Sequence, residues 1–364
     1  MWHAANRIRA CRTSALGGHV VRCPEGHQRH IAYNSCRHRF CSQCALLPRE
    51  KWLANWNSRL LECPHYHVIF TMPHDLNEFW RYNKRLIADS LFSAACGALI
   101  KLLGDPKFMG AQPGLLAALH TWSQSLAAHV HLHVLVTGGG LSQDGRWRQV
   151  IKSCLLPRKV LMIVFRGKLR AELLAALDQG RLQLPPNYST TKARNLLNRL
   201  GRTVWNVKIL DRYDHGVGVA TYLARYLKGG PISPKRLLNV SDERIRFRCR
   251  QSNSEAVHGE VNLSIDQFFT RLLQHVPPRS MQAVRGYGLY AGCKRADLNT
   301  ARDCLGQIRI PKDSTLSPKW QDLCRRIGRK DAAVCRTCGK ELIVDHPFQI
   351  GRSPPSDSVM KAGN

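Results

Sequence analysis

Three histidines alternate along a short apolar run, His129-Val130-His131-Leu132-His133, which continues into Val134, Leu135 and Val136. A strand repeats every two residues, so this run places all three imidazoles on one face. Further along, Tyr222 and Tyr226 stand four apart, a step that puts both phenols on one face of a helix. Imidazoles grouped on a core strand need partners, and a divalent cation is one. Two imidazoles and a third ligand, with positions left open for oxygen, suit Mg²⁺ or Mn²⁺ bound to a phosphate. His131 and His133 form the pair; His129, Gln124, His67, or His215 beside Asp214 are open as the third ligand. A tyrosine hydroxyl is a poor nucleophile at neutral pH, because its pKa is near 10. Arg225 and Lys228 close by, with a metal-polarised phosphate, would help it attack phosphorus. The resulting phosphotyrosine ester conserves the energy of the broken bond for rejoining, and two tyrosines permit two such steps. Taken alone, a tyrosine pair at helical spacing reads as an amphipathic core stripe; beside the histidine run it reads as chemistry.

Bulk composition points the same way. The chain has 364 residues, with 55 Lys and Arg against 25 Asp and Glu, a net charge of +30. Such an excess calls for a polyanion, and nucleic acid is the usual one. No Gly-rich phosphate loop appears, which argues against an ATP-driven helicase. The carboxylates form no cluster of the kind a three-carboxylate nuclease needs. Trp122, Trp147 and Trp205 could stack bases of a single strand, although core packing is the commoner role. The N-terminus lacks the apolar core of a signal peptide, and no apolar stretch is expected to approach the roughly twenty residues of a membrane span. The reading is a cytoplasmic protein acting on DNA or RNA, with no membrane partner.

Fourteen cysteines in a chain of this size and context are expected to be reduced, with the closely spaced ones holding metal. Cys23-Pro-Glu-Gly-His27 and Cys41-Ser-Gln-Cys44 are two short knuckles, the arrangement that delivers four ligands to a tetrahedral zinc. Cys23, His27, Cys41 and Cys44 are the favoured set, with Cys36 in reserve and His19 and His30 competing with His27. Arg37 and Arg39 make the module a DNA-contacting element. Cys335-Arg-Thr-Cys338 is half of a second zinc site, for which Cys304, Cys324 and His346 are candidate partners.

The elements that must position these groups can be sketched. His67 to Met72 reads as a strand ended by Pro73, and Leu76 to Leu103 as one or two amphipathic helices. The histidine run is a second strand, stopped by Gly138-Gly139-Gly140. Lys159 to Leu177 reads as a helix, Trp205 to Leu210 as a strand, and Gly218 to Lys228 as a helix ended by Gly229-Gly230-Pro231. Ile245 to Arg250 and Val261 to Ile265 fit a hairpin, followed by a helix near Asp266 to Gln274. Residues 1–50 show little hydrophobic periodicity and are expected to need a metal staple. The last dozen residues, Ser353 to Asn364, read as a frayed tail. The implied division is a zinc-binding, DNA-contacting domain over 1–55, a catalytic domain over 60–290, and a basic C-terminal region over 291–364.

A wider set of motifs occurs in a fixed order: Cys11-Arg-Thr-Ser-Ala-Leu-Gly-Gly-His19, Asn34-Ser-Cys36-Arg-His-Arg39, Cys41-x-x-Cys44, His67-Val-Ile-Phe-Thr71 with Pro73-His74, His120-Thr-Trp122, His129-Val-His-Leu-His133 with the Gly138–Gly140 run, and Tyr222-Leu-Ala-Arg-Tyr226. From about residue 7 to about residue 300 the chain resembles the two-tyrosine, rolling-circle transposases of the insertion sequence 91 type. That family belongs to the HUH endonuclease superfamily, named for histidine, hydrophobic residue, histidine. The resemblance implies an α+β fold: an antiparallel HUH-type sheet with flanking helices, preceded by a small zinc-binding domain. It implies that His131-Leu132-His133 binds the catalytic metal, and that Tyr222 and Tyr226 are nucleophiles that nick one DNA strand. The products would be a 5′-phosphotyrosine and a free 3′-hydroxyl that can prime synthesis, with host replication proteins as partners. Two departures stand out. Family members usually carry a further helical stretch before the Cys-Arg-Thr segment, which raises the expectation of a shortened reading frame here. Their first knuckle is often Cys-x-x-Cys, whereas this one ends in His27, a chemically competent substitute. A plasmid or phage replication initiator shares the histidines and tyrosines, and a zinc-containing DNA-binding regulator without catalysis shares the charge and the knuckles.

Overall fold

The computed structural model describes residues 2–42, 44–150, 154–227, 230–250, 258–311, 319–326, 328 and 333–348. In chain order the first elements are α1 (Trp2–Arg9), β1 (Gly18–Arg22), β2 (Arg29–Tyr33), α2 (Leu46–Asn57), β3 (His65–Thr71), α3 (Asn77–Tyr82) and α4 (Lys84–Leu103). Next come β4 (Gln112–Trp122), β5 (Ala128–Leu141), β6 (Trp147–Gln149), α5 (Arg158–Asp178), α6 (Thr190–Leu200), β7 (Val207–Tyr213) and α7 (Val217–Leu227). The last are β8 (Leu237–Val240), β9 (Arg244–Arg250), β10 (His258–Ser264), α8 (Ile265–Leu273), β11 (Val284–Gly288), α9 (Arg295–Cys304), α10 (Trp320–Arg326) and β12 (Ile343–Phe348).

These elements fall into two compact units. One contains the described residues of Met1–Trp56, Ala224–Leu237 and Thr315–Asn364, and the other those of Asn57–Leu223 and Leu238–Ser314. The stretch 291–311 therefore belongs with the larger unit and 333–348 with the smaller, so the expected C-terminal region is shared between them. The frayed tail expected over Ser353 to Asn364, and the Lys228-Gly229 stop, lie outside the described residues.

The larger unit is α+β. Its main sheet is antiparallel, in the order β11-β4-β5-β3-β7, with β6 paired to β5. The period of two sorts each strand. Val68 and Phe70 of β3, Leu115, Ala117 and Leu119 of β4, and Val130, Leu132, Val134 and Val136 of β5 all enter one core with α4, α5 and α6. The intervening residues, including the histidines, point to the opposite face. Burial of apolar surface, worth roughly 25 cal/mol per Å² removed from water, fixes which face turns to that core and so keeps the histidines on the other. Ser189 caps α6 by accepting from the Lys192 amide, and Ser264 and Gln267 close a capping box on α8. The expected hairpin is present as β9 and β10.

Two expectations need correction. Among the described residues one helix, α4, is long and apolar enough to cross a membrane. Most of its length is buried against the sheet, so its composition is that of a core helix. The histidine strand also does not stop at its glycines; β5 runs through them to Leu141. A Cβ at Gly139 would lie 2.6 Å from the Trp147 ring, and one at Gly140 would lie 2.5 Å from the Gln112 carbonyl oxygen. These glycines admit β6 and the start of β4 at close range rather than ending the strand.

The sheet carries a buried polar relay. His65 donates from Nδ1 to the Cys63 carbonyl at 2.8 Å and accepts at Nε2 from the Tyr290 hydroxyl at 2.9 Å; that hydroxyl accepts from the Leu61 amide at 3.0 Å. Every position is filled by neutral groups, and burial pulls the His65 pKa down from 6.5 to about 4. As pH falls the unfolded chain takes up this proton first, so the stabilising contribution is whole above pH 6.5 and is lost on the way to pH 4. The urea midpoint is expected to fall across that window, and the fall to be shallower in a His65→Asn variant by on the order of 3 kcal/mol. Equal slopes in the two proteins would contradict the assignment.

Candidate active site and metal centres

Antiparallel register assembles the catalytic candidates. His131 of β5 pairs with Thr71 of β3 on one side and His120 of β4 on the other, while His133 pairs with Ile69 and Ala118. His120 thus stands directly across from His131 and diagonally from His133. The ring centroids lie 5.2 Å apart for His120–His131, 4.1 Å for His120–His133 and 4.8 Å for His131–His133. One ring nitrogen from each falls within 4.8 Å of the others, a group able to hold a metal ion.

His129 is not in that group. It is one step nearer the β4–β5 turn, with its ring beside His74 at 5.5 Å, and it serves the site through its backbone. Its carbonyl accepts from His131 Nδ1 at 2.8 Å. A carbonyl can only accept, so His131 carries its proton on Nδ1 and presents the Nε2 lone pair. His133 Nδ1 lies 2.7 Å from His67 Nε2. If Nδ1 donates in that bond, Nε2 of His133 is likewise left as a ligand. Desolvation lowers every pKa in the cluster, reinforced by neighbouring imidazoles at His120, His131 and His133. His131 and His67 drop to about 4, His133 to about 2, and His120 well below 6.5. All are neutral at pH 7, which is the ligating form, so no proton need leave before a cation binds. Through that contact His67 would position the His133 ring. A His67→Ala variant is expected to weaken Mn²⁺ binding about 10- to 100-fold in calorimetric titration; an unchanged affinity would remove it from the site.

Of the other candidates for the third ligand, His215 and Asp214 precede α7 and Gln124 lies in the β4–β5 turn. None of them belongs to the grouped set. His120 was missed because β4 went unrecognised: Pro113, Gly114, Ala117 and Ala118 give it weak strand propensity. The usable signal was the His120-Thr-Trp122 motif, one turn away from the histidine run.

Tyr222 and Tyr226 both fall on α7, four residues apart, as the spacing requires. Their side chains and that of Arg225 lie outside the described residues, as does Lys228. The helix starts directly after Gly216, where a Cβ would meet the His65 ring and Leu135, each at 3.1 Å. The start of α7 is therefore packed on the strands that carry the histidines. Trp205 is a core residue, edge-on to Phe165 at 5.5 Å, and Trp122 lies half-buried between His120 and His275.

In the smaller unit the cysteines sort differently from their spacing. Cys11, Cys36, Cys41 and Cys44 bring four sulfurs within 4.8 Å of one another, with Cys36 and Cys44 at 3.6 Å. A tetrahedral zinc with bonds of about 2.3 Å places its sulfurs about 3.8 Å apart, so the set fits zinc. Burial raises the thiol pKa values of Cys36 and Cys44, so without a metal both would stay protonated. Cys36, held in reserve on sequence, is thus grouped with Cys41 and Cys44. Cys11, outside the expected set, completes the four. Cys23 and His27 are placed apart from them, beside Cys335 and Cys338. Sequence spacing joined the two nearest knuckles, whereas the β1–β2 hairpin carries the first one away from the second. Of the two basic candidates, Arg37 is exposed in a left-handed conformation (φ 55°), and Arg39 is partly buried, with its pKa lowered by desolvation.

The sequence has clear relatives. A family model described as "Putative transposase" matches residues 114–297, and one described as "Transposase zinc-binding domain" matches residues 1–72. A "Putative transposase" of Sinorhizobium fredii is 33% identical over 356 residues, covering 96% of this chain and 89% of that protein. The transposase for insertion sequence element IS801 of Pseudomonas savastanoi pv. phaseolicola is 30% identical, covering 78% of this chain and 69% of that protein. Among solved structures, the conjugative relaxase TrwC in complex with oriT DNA, in a metal-free form, aligns at a TM-score of 0.27 and 14% identity. That alignment covers 67% of this chain and 73% of the relaxase, an overlap too weak to carry argument. On the strength of its two family models and two transposase relatives, the chain belongs to the insertion sequence 91 family of transposases.

Proposed function

We propose that the protein nicks single-stranded DNA at the ends of a mobile element and transfers the cut strand, in a rolling-circle mode of transposition. The observation that carries this reading is the trio His120, His131 and His133, three neutral imidazoles on one sheet face in a chain of a transposase family. A divalent cation held there would polarise the scissile phosphate and neutralise charge developing on its oxygens. Among hard cations, an all-imidazole donor set favours Mn²⁺ over Mg²⁺. Tyr222 or Tyr226 then attacks phosphorus. The new bond joins the phenolic oxygen to phosphorus, the bond to the 3′-oxygen breaks, the phenolic proton leaves to solvent, and the departing oxygen takes up a proton as the 3′-hydroxyl. The 5′-phosphotyrosine retains the bond energy, and the second tyrosine can accept or release a strand in turn. Arg37, Arg39, Arg225 and Lys228 supply charge for the DNA backbone, within a chain of net charge +30. The domain limits 1–55 and 60–290, action in the bacterial cytoplasm on nucleoid DNA, and recruitment of host replication proteins belong to the same reading. Trapping of a denaturant-resistant protein–DNA adduct tests it.

A further inference from the structure

Cys23, His27, Cys335 and Cys338 come from the two ends of the chain, with Cys23 and Cys338 315 positions apart in sequence. Their four ligand atoms nevertheless lie within 4.8 Å of one another, all inside the smaller unit. Cys23 Sγ is 3.5 Å from Cys338 Sγ and 3.7 Å from His27 Nδ1, close to the edges of a zinc tetrahedron.

The two segments have the same local build. The amide of Cys23 bonds the carbonyl of Gln28 at 2.8 Å, and the amide of Cys335 bonds that of Lys340 at 2.8 Å, five residues on in each case. Each turn closes on its own cysteine carbonyl through a glycine amide, Gly26 at 3.1 Å and Gly339 at 2.9 Å. Both glycines have positive φ, 78° and 71°, which other residues rarely adopt. Backbone amides also point at the sulfurs: Glu25 at Cys23, and Thr337 and Cys338 at Cys335. Such N–H···S bonds orient thiolate ligands around a metal. Behind the knuckles, β12 pairs with β1, and β1 with β2, in one antiparallel sheet. Val21, Cys23, Cys335 and Leu342 bury a small apolar cluster beneath them. Lys340 to Glu25 at 2.5 Å, and Arg22 and Arg29 to Asp345 at 3.3 and 3.4 Å, link the same segments.

We infer that these four residues form a second structural zinc site, of Cys₃His type, in which two zinc knuckles from opposite ends of the chain close a zinc ribbon. The C-terminal strand β12 is thereby an integral part of the N-terminal zinc module, which extends beyond residues 1–72. Cys304, Cys324 and His346 take no part in it. Cys304 is in the larger unit, near the Gly145 carbonyl, Cys324 is buried on α10, and His346 is on β12 beside Asp345. The site is independent of the nicking chemistry.

The test uses the full-length, zinc-loaded protein freed of excess metal. Each cysteine is followed by iodoacetamide labelling and peptide mass spectrometry. Cys338 is exposed, as are Cys154 and Cys293, so all three sulfurs are open to the reagent. With zinc, Cys338 is expected to react at least about tenfold more slowly than those two, and a chelator to release Cys23, Cys335 and Cys338 together. Labelling of Cys338 at the rate of Cys154 in the zinc-loaded protein would overturn the proposal. Bound zinc is also expected to fall by one per chain in a Cys335→Ser/Cys338→Ser variant and to be unchanged in Cys304→Ser/Cys324→Ser. His27→Cys is expected to keep the protection that His27→Ala loses. Unchanged zinc in Cys335→Ser/Cys338→Ser, or protection surviving His27→Ala, would equally overturn it.

Discussion

A His120→Ala variant is expected to lose Mn²⁺ affinity by more than about 100-fold, beyond what loss of a supporting residue usually costs, and its metal-dependent nicking with it. His120 supplies one of the three ring nitrogens, and its partner across the strands, His131, cannot shift to compensate because its Nδ1 is tied to the His129 carbonyl. The substitution removes a buried imidazole from a rigid sheet, so no flexible neighbour is expected to replace it. His129→Ala is the matched control. It removes the ring beside His74 but leaves the carbonyl that orients His131, so its effect on metal binding is expected to be much smaller. Calorimetric titration of both variants with Mn²⁺ separates the two roles. Equal losses, or a larger loss for His129→Ala, would reassign the third ligand.

The second large effect concerns the N-terminal module. A Cys36→Ser/Cys44→Ser variant is expected to lose the zinc of the four-cysteine site and with it the ordered fold around α1 and α2. Apart from those thiols, the local apolar cluster contains little more than Leu16, with Ile8 and Ala10 packed against it. A structural zinc contributes on the order of 10 kcal/mol of apparent binding energy, comparable to the whole stability of a typical domain, about 5–15 kcal/mol. So small a core cannot make up such a loss. Limited proteolysis followed by mass spectrometry should find the segments around α1 and α2 digested while the larger unit survives. Protease resistance of those segments in this variant would show that packing, not the four-cysteine zinc, holds them.

The sequence made some of this legible and hid the rest for physical reasons. The alternation of His129, His131 and His133 with Val130, Leu132 and Val134 revealed β5 because one face enters the apolar core and the other carries the imidazoles. The four-residue step between Tyr222 and Tyr226 placed both on one helix for the same kind of reason. What stayed hidden depended on partners distant along the chain. His120 joins His131 and His133 only through the β4–β5 register, and nothing in its own segment alternates clearly enough to reveal a strand. Cys335 and Cys338 meet Cys23 and His27 only because β12 adds to the β1–β2 hairpin, a pairing across nearly the whole chain. Glycine was misread for a related reason: Gly139 and Gly140 look like a strand end until Trp147 and Gln112 are seen pressed against them.

The central claim, tyrosine-mediated nicking at the histidine site, is tested most directly with purified full-length protein, labelled single-stranded DNA from the ends of the element, and Mn²⁺. The account predicts a denaturant-resistant protein–DNA adduct that is lost on chelation, and lost in a Tyr222→Phe/Tyr226→Phe variant that still binds the DNA. An adduct that persists in the double variant, or tight DNA binding by the wild-type protein with no adduct at all, would contradict it.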